Sequence, residues 1–360
     1  MNRFKKYSFL FVLFVLISVL FHTVVWHMIS KKVLLVNDDL YNGDLGRISF
    51  KTDSIYPRPS YLVKEARNLP KKHILYKDLK PRETVDIITI GDSFANAATQ
   101  GINPYFQDYI ATYSNLKVLN VLPYFGNFIE TIVIFDNSGL LDELKPKAIL
   151  IESVERTSLL RFGVKLNFDL FMEKIKLVEK LKIQKNSYVM KDNMINFINN
   201  QNTTALLNNI EIKLKKYKKY DKLSMVKLNN DFFNVDDKNS LLFYNEDIDG
   251  INITSQKSIQ SLNNNFNKLA NKLKNKGIRL YFMPAVDKYN LYEPYIENNS
   301  YPKSQFFEIL RGLPKEYELI DTKAILSQEL KKGVKDLYYA DDTHWSYKAS
   351  EAIFKKVKFE

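Results

Sequence analysis

The chain has 360 residues, of which 45% are hydrophobic, enough to bury the core of one large or two modest domains and too apolar for a disordered polymer. The absence of cysteine excludes disulfides, thiolate nucleophiles and cysteine-held zinc, without fixing a compartment. The formal charge of +12, from 53 Lys and Arg against 41 Asp and Glu, is spread through Lys- and Asn-rich stretches rather than gathered into one basic block. That suits a solvated surface near anionic polymer or lipid and lends little support to nucleic-acid binding.

In chain order, the first signal follows Arg3, Lys5 and Lys6: the 23 residues from Tyr7 to Ile29 contain no Asp, Glu, Lys or Arg. As a helix they would reach about 34 Å, enough to cross a bilayer core. A cleavable leader would have a shorter apolar run and small residues before the cut, whereas bulky Trp26, His27 and Met28 lead here into Lys31 and Lys32. Residues 1–30 are therefore expected to be an uncleaved anchor. The basic residues ahead of the span favour a cytoplasmic N-terminus and a periplasmic or extracellular remainder.

Residues 31–82 are polar with interspersed aromatics and prolines, which predicts a stalk packed on the domain that follows. From 83 to 360, strands are expected over Val85–Ile90, Lys117–Val121, Lys147–Ser153, Ile278–Pro284 and Tyr317–Asp321, with room for a crossover between each pair. That pattern implies an α/β domain with a mainly parallel five-stranded sheet, in a flavodoxin-like three-layer arrangement. Ile259, Leu262, Phe266, Leu269 and Leu273 recur at spacings of three and four before Gly277, the mark of an amphipathic helix packed on that sheet. The Asn- and Lys-rich segment of about 161–255 is expected to be a helical insertion beside it.

The chemistry concentrates where the first strand ends in Gly91-Asp92-Ser93. In an open parallel sheet, ligands gather beyond the carboxyl ends of the strands. Gly91 permits a sharp turn, and a helix expected after Ser93 would aim backbone N–H groups at the same space. A serine hydroxyl needs a base. Of four histidines, His22 and His27 lie in the apolar span and His73 in the stalk, leaving His344 in "YYADDTHWSYKASEAIF". Asp342 and Asp341 precede it closely enough for either carboxylate to hold the imidazole by its second nitrogen. Ser346 is placed to cap a following helix in which Ala349, Ile353 and Val357 share a face. A metal site on Asp341, Asp342 and His344 would have one imidazole and no matching second cluster, so neither metal nor cofactor is expected.

A first strand ending in Gly-Asp-Ser, a five-stranded α/β domain and a C-terminal Asp-x-x-His loop resemble the SGNH (GDSL-type) hydrolase superfamily. "GDSF" with "DDTHW" is similar to its alginate-acetylation-type and DHHW-type branch, whose members act on acyl groups of exopolysaccharides. The resemblance covers roughly 84–360 without the insertion. It implies Ser93 as nucleophile and His344 as general base, with Asp342 as orienting acid by Asp-x-His spacing or Asp341 by Asp-x-x-His spacing. It also implies Gly126 as a backbone oxyanion donor with Asn127 beside it, and Lys288, with Asp287, lining the cleft. The family's Gly-x-Asn-Asp block is absent, and Arg156 in "ESVERTS" is the substitute on offer. The implied function is a membrane-anchored serine esterase or O-acetyltransferase acting on O-acylated polysaccharide, with a multi-pass membrane acyltransferase as partner. The alternative is a catalytically inactive scaffold of the same fold in exopolysaccharide assembly.

Overall fold

A computed structural model of the chain describes residues 3–26, 43–45, 65, 68–98, 103–123, 127–184, 207 and 222–359. Helix α1 (Arg3–Leu20) continues into a wider π-helical turn over Phe21–Trp26, and the stretch Arg3–Val24 is long and apolar enough to span a membrane. None of α1 is buried against the other described residues, and most of its Phe, Leu, Val and Ile side chains are exposed. His27 lies outside the described residues.

The expected five-stranded parallel sheet is present. β1 (Ile87–Ile90) pairs with β2 (Val118–Val121) on one side and β3 (Ala148–Val154) on the other. Helix α2 (Phe106–Tyr113) connects β1 to β2, and α3 (Phe128–Asn137) and the short α4 (Leu140–Leu144) lie between β2 and β3. Strands β1 and β3 are buried along their whole length, which is why their sequences read as continuous apolar runs rather than alternating ones.

After β3 comes α5 (Glu155–Phe162), and the described residues of the expected helical insertion hold a strand pair as well as helices, while 185–206 and 208–221 lie outside the described residues. Helix α6 covers only Lys174–Lys182, and β4 (Leu223–Lys227) and β5 (Ser240–Tyr244) form an antiparallel pair of their own, followed by α7 (Glu246–Asn252). Leu223, Leu241, Leu242 and Phe243 are fully buried, so this segment gains its order by covering apolar surface as a hairpin rather than as helices.

Helix α8 (Gln256–Lys274) carries the predicted stripe: Ile259, Leu262, Phe266, Leu269 and Leu273 are all fully buried, with Phe266 stacked on Phe282 at 4.1 Å. Gly277 then turns the chain at φ +70°, a conformation without penalty only for glycine, into β6 (Arg279–Ala285). The remaining elements are α9 (Lys288–Tyr292), α10 (Phe306–Gly312), β7 (Glu318–Leu319), α11 (Thr322–Lys331) and α12 (Tyr347–Lys356). The spatial order β2-β1-β3-β6-β7 reverses direction next to β1, which puts the topological switch point, where such sheets characteristically bind ligands, at the carboxyl end of that strand.

Residues 68–82 lie on the sheet's outer edge. Ile74 bridges Leu119 of β2, and His73 Nδ1 meets Asp108 Oδ1 at 2.7 Å while Lys72 reaches the other oxygen at 3.1 Å. The His73 and Asp108 side chains are almost fully buried, so this imidazole and carboxylate pin the edge segment to α2.

Candidate active site

Ser93 lies three residues past the end of β1, half-buried, in a run of turns over 93–98 rather than the expected helix. Asn96 accounts for the difference, because its Nδ2 donates to the carbonyls of Gly91 (3.2 Å) and Asp92 (2.7 Å) and folds the chain back on itself. Ala97 is driven to φ 61°, an uncommon place for an alanine, and Gln107 of α2 donates to the Ala95 carbonyl at 2.9 Å.

Asp92 fixes the turn to the neighbouring strand. Its Oδ2 accepts from the Val154 amide (2.9 Å) and Arg161 Nη1 (2.5 Å), and its own amide donates to Glu152 Oε2 at 3.0 Å. Glu152 is fully buried, and burial, with the Asp92 carboxylate beside it, pushes its carboxyl well above the usual range.

Gly91 is required by that close packing. A Cβ there would meet Glu152 Oε2 at 2.4 Å and Ala95 Cβ at 2.7 Å. Gly91→Ala should shift the Ser93 turn and cut turnover of an activated ester roughly 100-fold, the cost typical of an ångström-scale misplacement. Steady-state kinetics on that variant, with circular dichroism as a folding check, measures it.

The histidine loop comes from the far end of the chain. Tyr338 bridges Trp345, the Ser346 amide donates to Leu337 O at 2.7 Å, and Ser346 Oγ accepts from the Lys348 amide as the cap of α12. Phe94, next to Ser93, lies 4.6 Å from the His344 ring and 4.7 Å from Trp345 between ring centroids. The two halves of the site are thus docked through buried aromatic surface.

Within this frame His344 Nε2 is 2.7 Å from Ser93 Oγ, and His344 Nδ1 is 2.7 Å from Asp342 Oδ1, which also accepts from the His344 amide at 2.9 Å. Asp341 points elsewhere: its Oδ2 accepts from the Gly43 amide at 2.9 Å. Of the two acids that the sequence left open, Asp342 is the one on the imidazole.

Burial pulls the His344 pKa down, but the Asp342 carboxylate, by charge and hydrogen bond, and Asp44 more than reverse it, so the net shift is upward from 6.5. A base must be neutral to accept a proton. Activity that depends on His344 should rise with pH along an acid limb centred above 6.5, and a pH profile of kcat/KM tests this. The stabilisation gained from the charged imidazole runs the other way: it is complete below pH about 6.5 and is lost as pH climbs through the raised folded-state value.

The remaining expected cleft residues are placed differently. Asn127 caps α3, accepting from the amides of Ile129 (3.0 Å) and Glu130 (3.4 Å) and donating to the Arg161 carbonyl, so its side chain is occupied by structure. Arg156 Nη1 contacts Asp287 (2.7 Å) and Asp247 (3.3 Å), bracing the connections after β3, β5 and β6. Among the described residues its hydrogen-bond partners are those acids, not the Ser93 hydroxyl. Burial raises the carboxyls of Asp287 and Asp247, the latter to about 6, despite the guanidinium.

Lys288 does not line an open cleft. It is 1% exposed, and its Nζ donates to the carbonyls of Tyr339 (2.7 Å), Ala340 (2.9 Å) and Asp342 (3.1 Å), holding the histidine loop from beneath. Gly126 lies outside the described residues. The Ser93 amide has no hydrogen-bond partner among the described residues, which leaves that N–H available to an oxyanion formed at Ser93.

Two contributors escaped sequence reasoning. Arg161 bridges Asp92 and Ser153 Oγ (2.6 Å), and Asp44 Oδ2 stands 3.5 Å from His344 Nδ1. Asp44, Asp342 and His344 bring one potential ligand atom each within 4.8 Å of one another. Those atoms already serve hydrogen bonds, since Thr343 donates to both Asp44 oxygens (2.8 and 2.5 Å) and Asp342 holds His344. The grouping fits a braced imidazole and needs no ion to explain it.

Comparison of the chain with protein-family models, with curated proteins and with solved structures finds no match.

Proposed function

We propose that this chain is a membrane-anchored serine acyl-ester enzyme of the cell envelope, an O-acetylesterase or O-acetyltransferase acting on O-acetylated surface polysaccharide. The observation that carries the reading is the continuous line Ser93 Oγ, His344 Nε2, His344 Nδ1, Asp342 Oδ1, with both hydrogen bonds at 2.7 Å. Nucleophile, base and orienting acid in hydrogen-bond contact are what acyl transfer through a serine ester needs. The strand order supports a flavodoxin-like arrangement, and the serine at the end of the first strand with the Asp-x-His loop near the C-terminus supports an SGNH-type ancestry.

In the reaction, His344 Nε2 takes the Ser93 proton as Oγ bonds to the acyl carbon, and the Ser93 N–H stabilises the oxyanion. The ester C–O bond breaks, and the departing alcohol takes the proton from His344. An acceptor hydroxyl then loses its proton to His344, attacks the acyl-serine and restores the Ser93 hydroxyl. Water as acceptor makes an esterase; a sugar hydroxyl held in a cleft closed to water makes a transferase. The apolar N-terminal helix would hold the domain at the membrane with its N-terminus cytoplasmic, where a multi-pass membrane acyltransferase is a suitable acyl donor.

The reading is tested with full-length protein in detergent micelles, offered p-nitrophenyl acetate and a fluorophosphonate serine probe. Turnover and labelling that disappear together in Ser93→Ala support it. A folded wild type showing neither would instead favour a non-catalytic scaffold of polysaccharide assembly. A reporter fused after Glu360 checks the topology, and activity of that reporter only in the cytoplasm would remove the envelope assignment.

A further inference from the structure

The short segment Gly43-Asp44-Leu45, between the membrane helix and the folded domain, is fastened to the histidine loop from both sides. Leu45 donates its amide to Asp341 O (3.1 Å), and its side chain, fully buried, packs with Leu223 and Leu242 of the β4-β5 hairpin. Gly43 lies so close that a Cβ there would stand 1.8 Å from Asp341 O, which only a glycine allows. Between them Asp44 receives both hydrogen bonds from Thr343 and sits, 15% exposed, on the same face of His344 as Asp342.

We propose that Asp44 is a second positioning carboxylate for His344, supplied by the membrane-proximal segment, and that it stabilises the imidazolium formed when Ser93 is deprotonated. This rests on the acyl-transfer reading above. The 3.5 Å separation is too long for a strong hydrogen bond to Nδ1, which Asp342 already occupies at 2.7 Å. Asp44 therefore acts through charge, and through Thr343, which it holds next to the histidine. The charged groups acting on the imidazole are Asp342 and Asp44, which favour its protonation, and Arg156, which opposes it. Lys288 lies under the loop, and Asp341 is turned to Gly43. Burial and the neighbouring Asp342 charge raise the carboxyl of Asp44 itself, and His344 and Thr343 work against that rise, so its charge depends on the partners it braces.

The test uses full-length protein in micelles. The His344 ring is titrated by NMR with 13C-labelled histidine, assigned by loss of its signal in His344→Gln, in wild type and in Asp44→Asn. Removing one nearby negative charge should lower the His344 midpoint by about one pH unit. The acid limb of kcat/KM should move with it, and kcat should fall roughly tenfold with KM unchanged. An unchanged midpoint and pH profile in folded Asp44→Asn would overturn the proposal. If that variant does not fold, Leu45→Ala, which loosens the segment without altering a charge, must lower the same midpoint for the proposal to stand. Absence of serine-probe labelling in wild type would defeat the acyl-transfer reading, while the titration would still decide the role of Asp44.

Discussion

Replacing Ser93 or His344 with Ala should lower turnover of an activated acetyl ester by roughly 10⁴-fold or more; Ser93→Ala should leave the thermal midpoint nearly unchanged, whereas His344→Ala should lower it by removing a buried ring and the partner of the buried Asp342 carboxylate. The asymmetry follows from placement. Ser93 is half-buried in a turn held by Asp92, Asn96 and Gln107, none of which needs its hydroxyl. His344 is sandwiched between Phe94 and the Asp342 carboxylate, and Ala in its place removes the base but keeps the loop, which is fastened by Lys288 and Ser346. Losing one such residue costs about as much as losing both, because neither accelerates the reaction without the other. A double variant as active as either single one, each assayed beside its melting curve, is the expected result. Additive losses would mean that the two side chains do not act as a unit.

The second large effect is expected at Lys288. An ammonium has three N–H donors, and three loop carbonyls take them. Lys288→Met keeps the chain volume but takes the ammonium away from all three carbonyls; Tyr339 O keeps the Asp342 amide at 3.3 Å, and each carbonyl left with no other donor costs about 1–3 kcal/mol where water cannot reach it. The loop carrying Asp342 and His344 should relax, lowering kcat roughly 100-fold, and the thermal midpoint should fall as well. Burial depresses the lysine to about 8, against the pull of Asp341, Asp342 and Asp44.

That depression gives the variant a pH signature. Below about 8 the wild type carries a charged buried lysine at a cost of about 3 kcal/mol, relieved as pH rises toward 10.5, where the unfolded chain also loses the proton. The stability advantage of wild type over Lys288→Met should therefore widen between pH 8 and 10.5. An advantage that stays constant or narrows across that window would show that the lysine is not held as a buried cation.

β1, β2, β3 and β6 were legible because each is a largely apolar run flanked by turn residues, a pattern that burial on both faces demands, whereas β7 is only the two-residue edge piece Glu318–Leu319. Ser93 and His344 were legible by elimination, since no other histidine outside the apolar span had acids beside it. The choice between Asp341 and Asp342 was not, because adjacent residues on a loop point apart by amounts that only the closed geometry of 337–346 decides. Asp44 was invisible for a different reason: nothing local distinguishes it in a polar stretch 300 positions from its partner, and only tertiary packing brings them together. The β4-β5 hairpin was hidden by its Asn- and Lys-rich surroundings and by the polar residues within its own two short strands, Ser224, Lys227 and Ser240. Lys288 did carry a signal, a lone cation among Val286, Tyr289, Leu291 and Tyr292, but that signal reads as a buried lysine in need of acceptors rather than as a group lining a cleft.

The most direct test of the central claim is the intact mass of the full-length protein after brief mixing with p-nitrophenyl acetate. The account predicts a transient gain of one acetyl group, located on Ser93 by fragmentation, absent in Ser93→Ala and trapped longer in His344→Ala if any forms there. Acetyl then appearing on an added polysaccharide rather than as free acetate would identify a transferase. No acetyl adduct in a folded wild type that also leaves the ester intact, or an adduct that persists in Ser93→Ala, would contradict the claim that this serine is the nucleophile.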